Sequence, residues 1–215
     1  MKALEDYITF DLEFNQYEGA YQIIQVSAVR FTNGKEVDHY DSYVYTDKPL
    51  KSFINGLTDI TQDKIQNAPQ LEQVLNEFKA FVGDRPLIGY NAQKSDLPTL
   101  LENGLDLEDQ YAVDVFDEAF ERRPSDLHGI KNLQLHTVAE FLGVAGKSHD
   151  SLEDARMTAL VYERFLEFDQ GRTLLEEQES FSTNPFGDDT SLALNTSIPC
   201  LRNNSSDALD AATAP

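Results

Sequence analysis

The stretch "ITFDLEFN", Ile8 to Asn15, alternates apolar and polar residues without a break. Ile8, Phe10, Leu12 and Phe14 fall on one side, and Thr9, Asp11, Glu13 and Asn15 on the other. That is the period of a β-strand, which sends successive side chains to opposite faces. The pattern sets two carboxylates on one face, roughly 6–7 Å apart at the strand rise. Like charges at that spacing repel, and Asp and Glu are poor strand formers. Taken alone, the pair also reads as a solvated polar face. If it is buried it needs cations, because an unpaired buried charge is expensive. The chain has only 17 Lys and Arg to offer. Divalent metal ions, held by oxygen ligands, are the other source.

The neighbouring segments favour burial. Residues 21–31, "YQIIQVSAVRF", are rich in β-branched and aromatic residues and predict a second strand. Residues 36–45, "EVDHYDSYVY", predict a third, and "TNG" at Thr32–Gly34 suits a hairpin turn between the two. The first three strands thus form an antiparallel meander. Helical spacing then takes over. Leu71, Val74, Leu75, Phe78 and Phe81 predict a helix that begins near Ala68 and ends at Gly83. "RPLIGYN" reads as a short buried strand, "DLPTLLENG" as a helix stopped by Gly104, and "YAVDVFD" as another strand. "LQLHTVAEFLGV" from Leu133 and "SLEDARMTALVYERFLEF" from Ser151 read as amphipathic helices. A meander followed by alternating helix and strand is a mixed α/β fold, with helices packed on a central sheet.

The totals bound the function. The 215 residues suit one domain with a tail, expected here as 1–170 and 171–215. The tail is rich in Ser, Thr, Asn, Asp and Ala and is expected to be disordered, with apolar islands such as "SLALN" (191–195) that suit docking on a partner. No apolar run is long enough to span a bilayer, and no signal core opens the chain, so membrane insertion and secretion are not expected. Cys200 is the only cysteine, which excludes an internal disulfide and fits a cytoplasmic setting. A net charge of −21 argues against a broad electrostatic grip on phosphates. A nucleic-acid partner must therefore be held locally or through metal cations.

Two further segments carry chemistry. In "LIGYNAQKSDLPTL" a strand ends at Tyr90, and Asn91 and Asp96 follow, where α/β proteins place functional groups. Asp96 also reads as a helix N-cap. In "HDSLEDARMTALVY" His149 precedes a helix and Asp154 lies five residues on. Ser151 and Asp154 have near capping-box spacing, which is the structural alternative for Asp154. On one continuous helix five residues rotate by about 140°, so the two share a cavity only if His149 sits in the preceding loop.

In order and spacing these motifs resemble the DEDDh group of 3′–5′ exonucleases, the family of polymerase proofreading epsilon subunits and oligoribonucleases. "FDLEF" is similar to its first motif, "LIGYNAQKSD" to its second and "HDSLEDA" to its third. "LQLHTVAEFLGV" and "NGLTDIT" (Asn55–Thr61) also look like family segments, and the likeness covers about residues 5–168. Four residues separate Asn91 from Asp96, one more than the family's usual three, and no aromatic precedes Asp96. Phe14 and Asn15 stand where many relatives carry Thr. The resemblance implies an RNase H-like sheet, a meander followed by parallel strands. It implies two Mg²⁺ or Mn²⁺ ions held by Asp11, Glu13, Asp96 and Asp154, with His149 as general base. It implies substrate contacts from Glu13, Phe14, Asn91 and His149, and release of nucleoside monophosphates from the 3′ end of single-stranded or frayed DNA or RNA. A polymerase or other replication protein, met through the tail, is the expected protein partner. The competing reading is a non-catalytic nucleic-acid or polymerase-binding module that kept the fold. It predicts loss of at least one motif residue, and all five are present.

Overall fold

Strand β1 (Asp6–Tyr17) lies at the centre of a five-stranded sheet of order β3-β2-β1-β4-β5 in the computed structural model, which describes residues 1–58, 60–144 and 150–183. Strands β2 (Ala20–Thr32) and β3 (Lys35–Tyr43) complete the antiparallel meander. The β2–β3 turn falls at Asn33 and Gly34, with φ of 51° and 69°, the left-handed pair that a tight hairpin requires. On the other side of β1, β4 (Leu87–Gly89) and β5 (Tyr111–Asp114) run parallel to it. The mixed sheet expected from the sequence is therefore the one observed.

Helices cover both faces. The Ile8, Phe10 and Leu12 face packs on α3 (Leu71–Val82) and α4 (Asp96–Glu102) through Val74, Phe78, Leu97 and Leu100. The Tyr7 face packs on α5 (Val115–Arg122), α6 (Leu135–Phe141) and α7 (Ser151–Thr183) through Ala119, Val138, Ala155 and Phe165. Two short helices escaped the sequence reading. These are α1 (Ser52–Thr58) and α2 (Gln62–Ile65); Ile54 and Ile65 from the helices and Ile60 from between them are buried with Ile24.

Two boundaries differ from expectation. "YAVDVFD" is not strand throughout: β5 stops at Asp114, whose side chain accepts from the Phe116 backbone N–H and caps α5. Asp117 and Glu118 in the first turn add favourable charge at that helix end. The last helix also outruns its expected end, continuing through Gly171 to Thr183, where the polar tail was expected to begin. A mid-helix glycine costs only about 1 kcal/mol. Ion pairs tie this turn down: Arg172 reaches both Asp126 oxygens at 2.8 Å and also pairs with Asp169. Met1–Leu175 form one compact unit. Residues 184–215, with the expected partner-docking segment, lie outside the described residues.

Candidate active site

Alternation along β1 puts Asp11 and Glu13 on the face that carries Tyr7, which is the face covered by α7. Asp154 projects from the start of that helix. One carboxylate oxygen from each of Asp11, Glu13 and Asp154 lies within 4.8 Å of the others, and all three residues are half-buried. Residues far apart in sequence thus converge on one point.

Three local devices hold them there. Asp150, not Ser151, caps α7: its Oδ1 accepts from the backbone N–H groups of Leu152 at 3.1 Å and Glu153 at 3.3 Å. Ser151 instead donates its hydroxyl to the Asp11 carbonyl at 2.7 Å, fastening the helix start to the strand. Asp96 supplies the third device. Strand β4 ends at Gly89, so β1 runs on past its parallel neighbour. The Leu12 N–H on that edge would be orphaned, and the Asp96 Oδ1 accepts it at 3.1 Å. The other Asp96 oxygen takes the Ser95 hydroxyl. Asp96 is 5% exposed, and its charge weighs on both Asp11 and Glu13.

Crowded, desolvated carboxylates resist ionisation. Burial pushes the Asp11 carboxyl well above its ordinary range, and the charges of Asp96, Glu13, Asp154 and Asp150 add to it. Glu13 is pushed up to about 7, by burial first and then by Asp154, Asp96 and Asp150. Asp96 also rises to about 7, mainly through burial, while its hydrogen bonds to Ser95 and Leu12 pull the other way. The oxygens of Asp11, Glu13 and Asp154 are hard donors close enough together to hold a metal ion.

The remaining expected residues fall out as follows. Asn91 sits at the turn after β4 in a left-handed conformation, φ 60°, with its N–H donating to Asp114 at 2.7 Å. Phe14 does not join the carboxylates. It packs with the Leu12 face and meets Tyr21 edge-on at 6.0 Å, because alternation sends it across the sheet from Glu13. His149 lies outside the described residues, immediately before the Asp150 cap. Sequence reading passed over Asp114 and Asp150, and weighed Ser151 only as a capping partner of Asp154. The first two precede helix starts, a readable capping signal, whereas nothing local marks Ser151 as a partner of Asp11. Asn15 is fully buried: its amide donates to the Gln22 side chain and the Pro49 carbonyl and accepts from the Lys51 N–H, so it fastens the segment leading into α1.

A family model described as exonuclease (RNase_T) matches residues 8–162. The chain belongs to the DEDDh exonuclease family. Similar curated proteins include the PolC-type DNA polymerase III of Caldanaerobacter subterraneus, 31% identical over 170 residues, 75% of this chain and 12% of that protein. The PolC-type enzyme of Thermotoga maritima is 32% identical over 165 residues, covering 74% and 12%. This DEDDh exonuclease chain therefore aligns with only about an eighth of the length of such relatives. Among solved structures, the nuclease domain of 3′hExo, a DEDDh family member bound to rAMP, superposes with a TM-score of 0.62 at 20% identity. It covers 76% of this chain and 92% of that one. Exonuclease I superposes at 0.65 with 15% identity, covering 83% and 44%. These likenesses show the shared fold.

Proposed function

We propose that this chain is a metal-dependent 3′–5′ exonuclease that releases nucleoside monophosphates from single-stranded or frayed 3′ ends. The observation that carries the reading is the convergence of Asp11, Glu13 and Asp154 within 4.8 Å, beside the buried Asp96. The relation to PolC-type DNA polymerases favours DNA as the polymer and proofreading as the setting.

Asp11, Glu13 and Asp154, with Asp96 adjoining, would hold the Mg²⁺ or Mn²⁺ ions of this reading, two in number. Ions bound there would activate a water and compensate charge on the attacking and leaving oxygens. The protein's own groups do the rest. Ser151 anchors the Asp11 backbone through its carbonyl, and Asp96 is locked to the Leu12 backbone, which fixes the main chain from which these carboxylates project. His149, the residue before the helix cap, takes the proton from the attacking water, since an imidazole titrates near working pH. The water oxygen bonds to phosphorus, the bond from phosphorus to the 3′ oxygen breaks, and a nucleoside 5′-monophosphate leaves.

The test is direct. Strands of DNA and RNA, labelled at either end, are incubated with the protein and Mg²⁺ or Mn²⁺. The 3′ label is expected to appear at once as mononucleotide, while the 5′-labelled strand shortens stepwise. Absence of mononucleotide from every strand with either metal overturns the enzyme reading and leaves the binding module.

A further inference from the structure

Directly before Asp96, in the turn that is one residue longer than the family's usual and lacks the aromatic, stands Ser95. We propose that Ser95 is a positioning residue for the nuclease reaction, holding the Asp96 carboxylate in one orientation beside Asp11, Glu13 and Asp154. The proposal rests on the exonuclease reading and deepens it.

A serine at a helix start normally caps it, its oxygen accepting from a backbone N–H in the first turn. Ser95 is at the N-cap of α4 and makes no such bond. Other groups hold that end. The Leu97 N–H donates to the Ala92 carbonyl at 2.9 Å, and the Ser95 carbonyl accepts from the Thr99 N–H at 3.3 Å and the Thr99 hydroxyl at 2.8 Å. The Ser95 hydroxyl is thus left for the site. It meets Asp96 Oδ2, with the Asn91 carbonyl 3.2 Å away as its second acceptor.

The Asp96 carboxylate is gripped at both oxygens. Oδ1 accepts from the Leu12 N–H at 3.1 Å, and Oδ2 accepts from Ser95. A single donor lets a carboxylate pivot about that bond, whereas donors on both oxygens set its plane. Hydrogen bonds to an ionised acceptor are also the stronger kind. Asp96 is buried, so bulk water does not replace a donor that is lost.

Ser95 is braced in turn. The carbonyl behind it belongs to Asn91, which is held at φ 60° by its surroundings. Asp114 does the holding: its Oδ1 accepts from the Asn91 N–H at 2.7 Å and the Phe116 N–H at 3.0 Å, and its Oδ2 faces the Gln93 N–H at 3.5 Å. Asp114 is itself the last residue of β5 and is buried. A line of hydrogen bonds therefore runs from the sheet at Asp114 through Asn91 and Ser95 to Asp96. The longer turn carries its own brace where relatives place an aromatic.

The experiment compares the full chain with Ser95→Ala and Ser95→Thr. The first readout needs no metal: amide hydrogen exchange of Leu12 in EDTA, followed by NMR. Ile8, whose N–H donates to the Pro86 carbonyl on the same edge of β1, is the internal reference. Relative to Ile8, the Leu12 amide is expected to exchange about two- to tenfold faster in Ser95→Ala, and at the wild-type rate in Ser95→Thr. The second readout is steady-state cleavage of a single-stranded DNA oligonucleotide in saturating Mg²⁺. Ser95→Ala is expected to lower kcat about three- to thirtyfold with KM unmoved, and Ser95→Thr to restore kcat. Asn103→Ala is the control for helix stability, since it removes the amide that donates to the Thr99 carbonyl at 2.8 Å at the far end of α4. It is expected to lower the melting temperature and leave kcat as in wild type. Unmoved Leu12 exchange or unmoved kcat in Ser95→Ala overturns the positioning role alone. So does a threonine variant as slow as the alanine one, or an equal kcat loss in Asn103→Ala. Wild-type protein that releases no mononucleotide overturns the exonuclease reading and the catalytic side of the role with it, while Leu12 exchange in EDTA still reads whether Ser95 braces Asp96.

Discussion

Asp96 holds the edge of β1 through the Leu12 N–H, and its charge weighs on Asp11 and Glu13, and substitution separates the two effects. Asp96→Asn keeps an oxygen for the Leu12 N–H and removes a charge from the cluster. Asp96→Ala leaves that N–H unpaired beside a buried Leu12, a cost of about 1–3 kcal/mol. Denaturant melts in metal-free buffer are expected to show Asp96→Asn near wild-type stability and Asp96→Ala well below it, with both slow in the nuclease assay. His149→Ala is expected to lower kcat by about 10²–10⁴-fold and to keep the rise in melting temperature that Mg²⁺ produces, since the carboxylates are intact. At this scale the sequence was informative about Asp11, Glu13 and Asp154, because alternation and helix start are local signals. Phe14 follows Glu13 in the same motif, and its ring packs with the Leu12 cluster.

The connection from β4 to α4 is the element on which the second motif depends. A Cβ on Gly89 would lie 2.5 Å from the Ala92 side chain and 3.0 Å from the Tyr111 hydroxyl. Gly89→Ala must therefore push the Asn91–Asp96 turn away from the sheet. The expected result is a loss of about 1–3 kcal/mol, with a fall in nuclease rate that added Mg²⁺ does not rescue. Thermal melts and a metal titration of the rate check it. The extra residue in this turn was visible in the sequence, but its accommodation was not. Asn91 takes a left-handed conformation, and Asp114, from the following strand, accepts the N–H groups of Asn91 and Phe116. The same Asp114 ends β5 and begins α5, so the strand pattern in "YAVDVFD" hid a helix start.

For the whole molecule, acidity and metal binding are linked. Glu13 and Asp96 stay protonated to about pH 7 in the folded protein, whereas an unfolded chain loses those protons near pH 4. Between these values the folded state binds more protons, so stability of the metal-free protein falls as pH rises from about 4 to about 7 and then levels off. Divalent cations compete for the same oxygens. Melting temperature in EDTA is expected to drop between about pH 5 and 8, and millimolar Mg²⁺ to reverse the drop at pH 8 with little effect at pH 5. Asp11→Asn is expected to lose the Mg²⁺ response. A Mg²⁺ shift that is equal at both pH values would contradict the linkage.

By itself, the sequence determined the strand that carries the carboxylates, the meander around it and the helix that brings Asp154, because periodicity, turns and caps act within a few residues. Only the tertiary structure decided which groups meet. Asp96 reaches Leu12 across 84 positions and Ser151 reaches Asp11 across 140. Such contacts arise when helices bury their apolar sides on the two faces of one sheet, and the polar groups at the ends of those elements are carried together. The pair in "ITFDLEFN" is costly on an isolated strand. Folded against α7, it becomes part of a site whose repulsion favours cations.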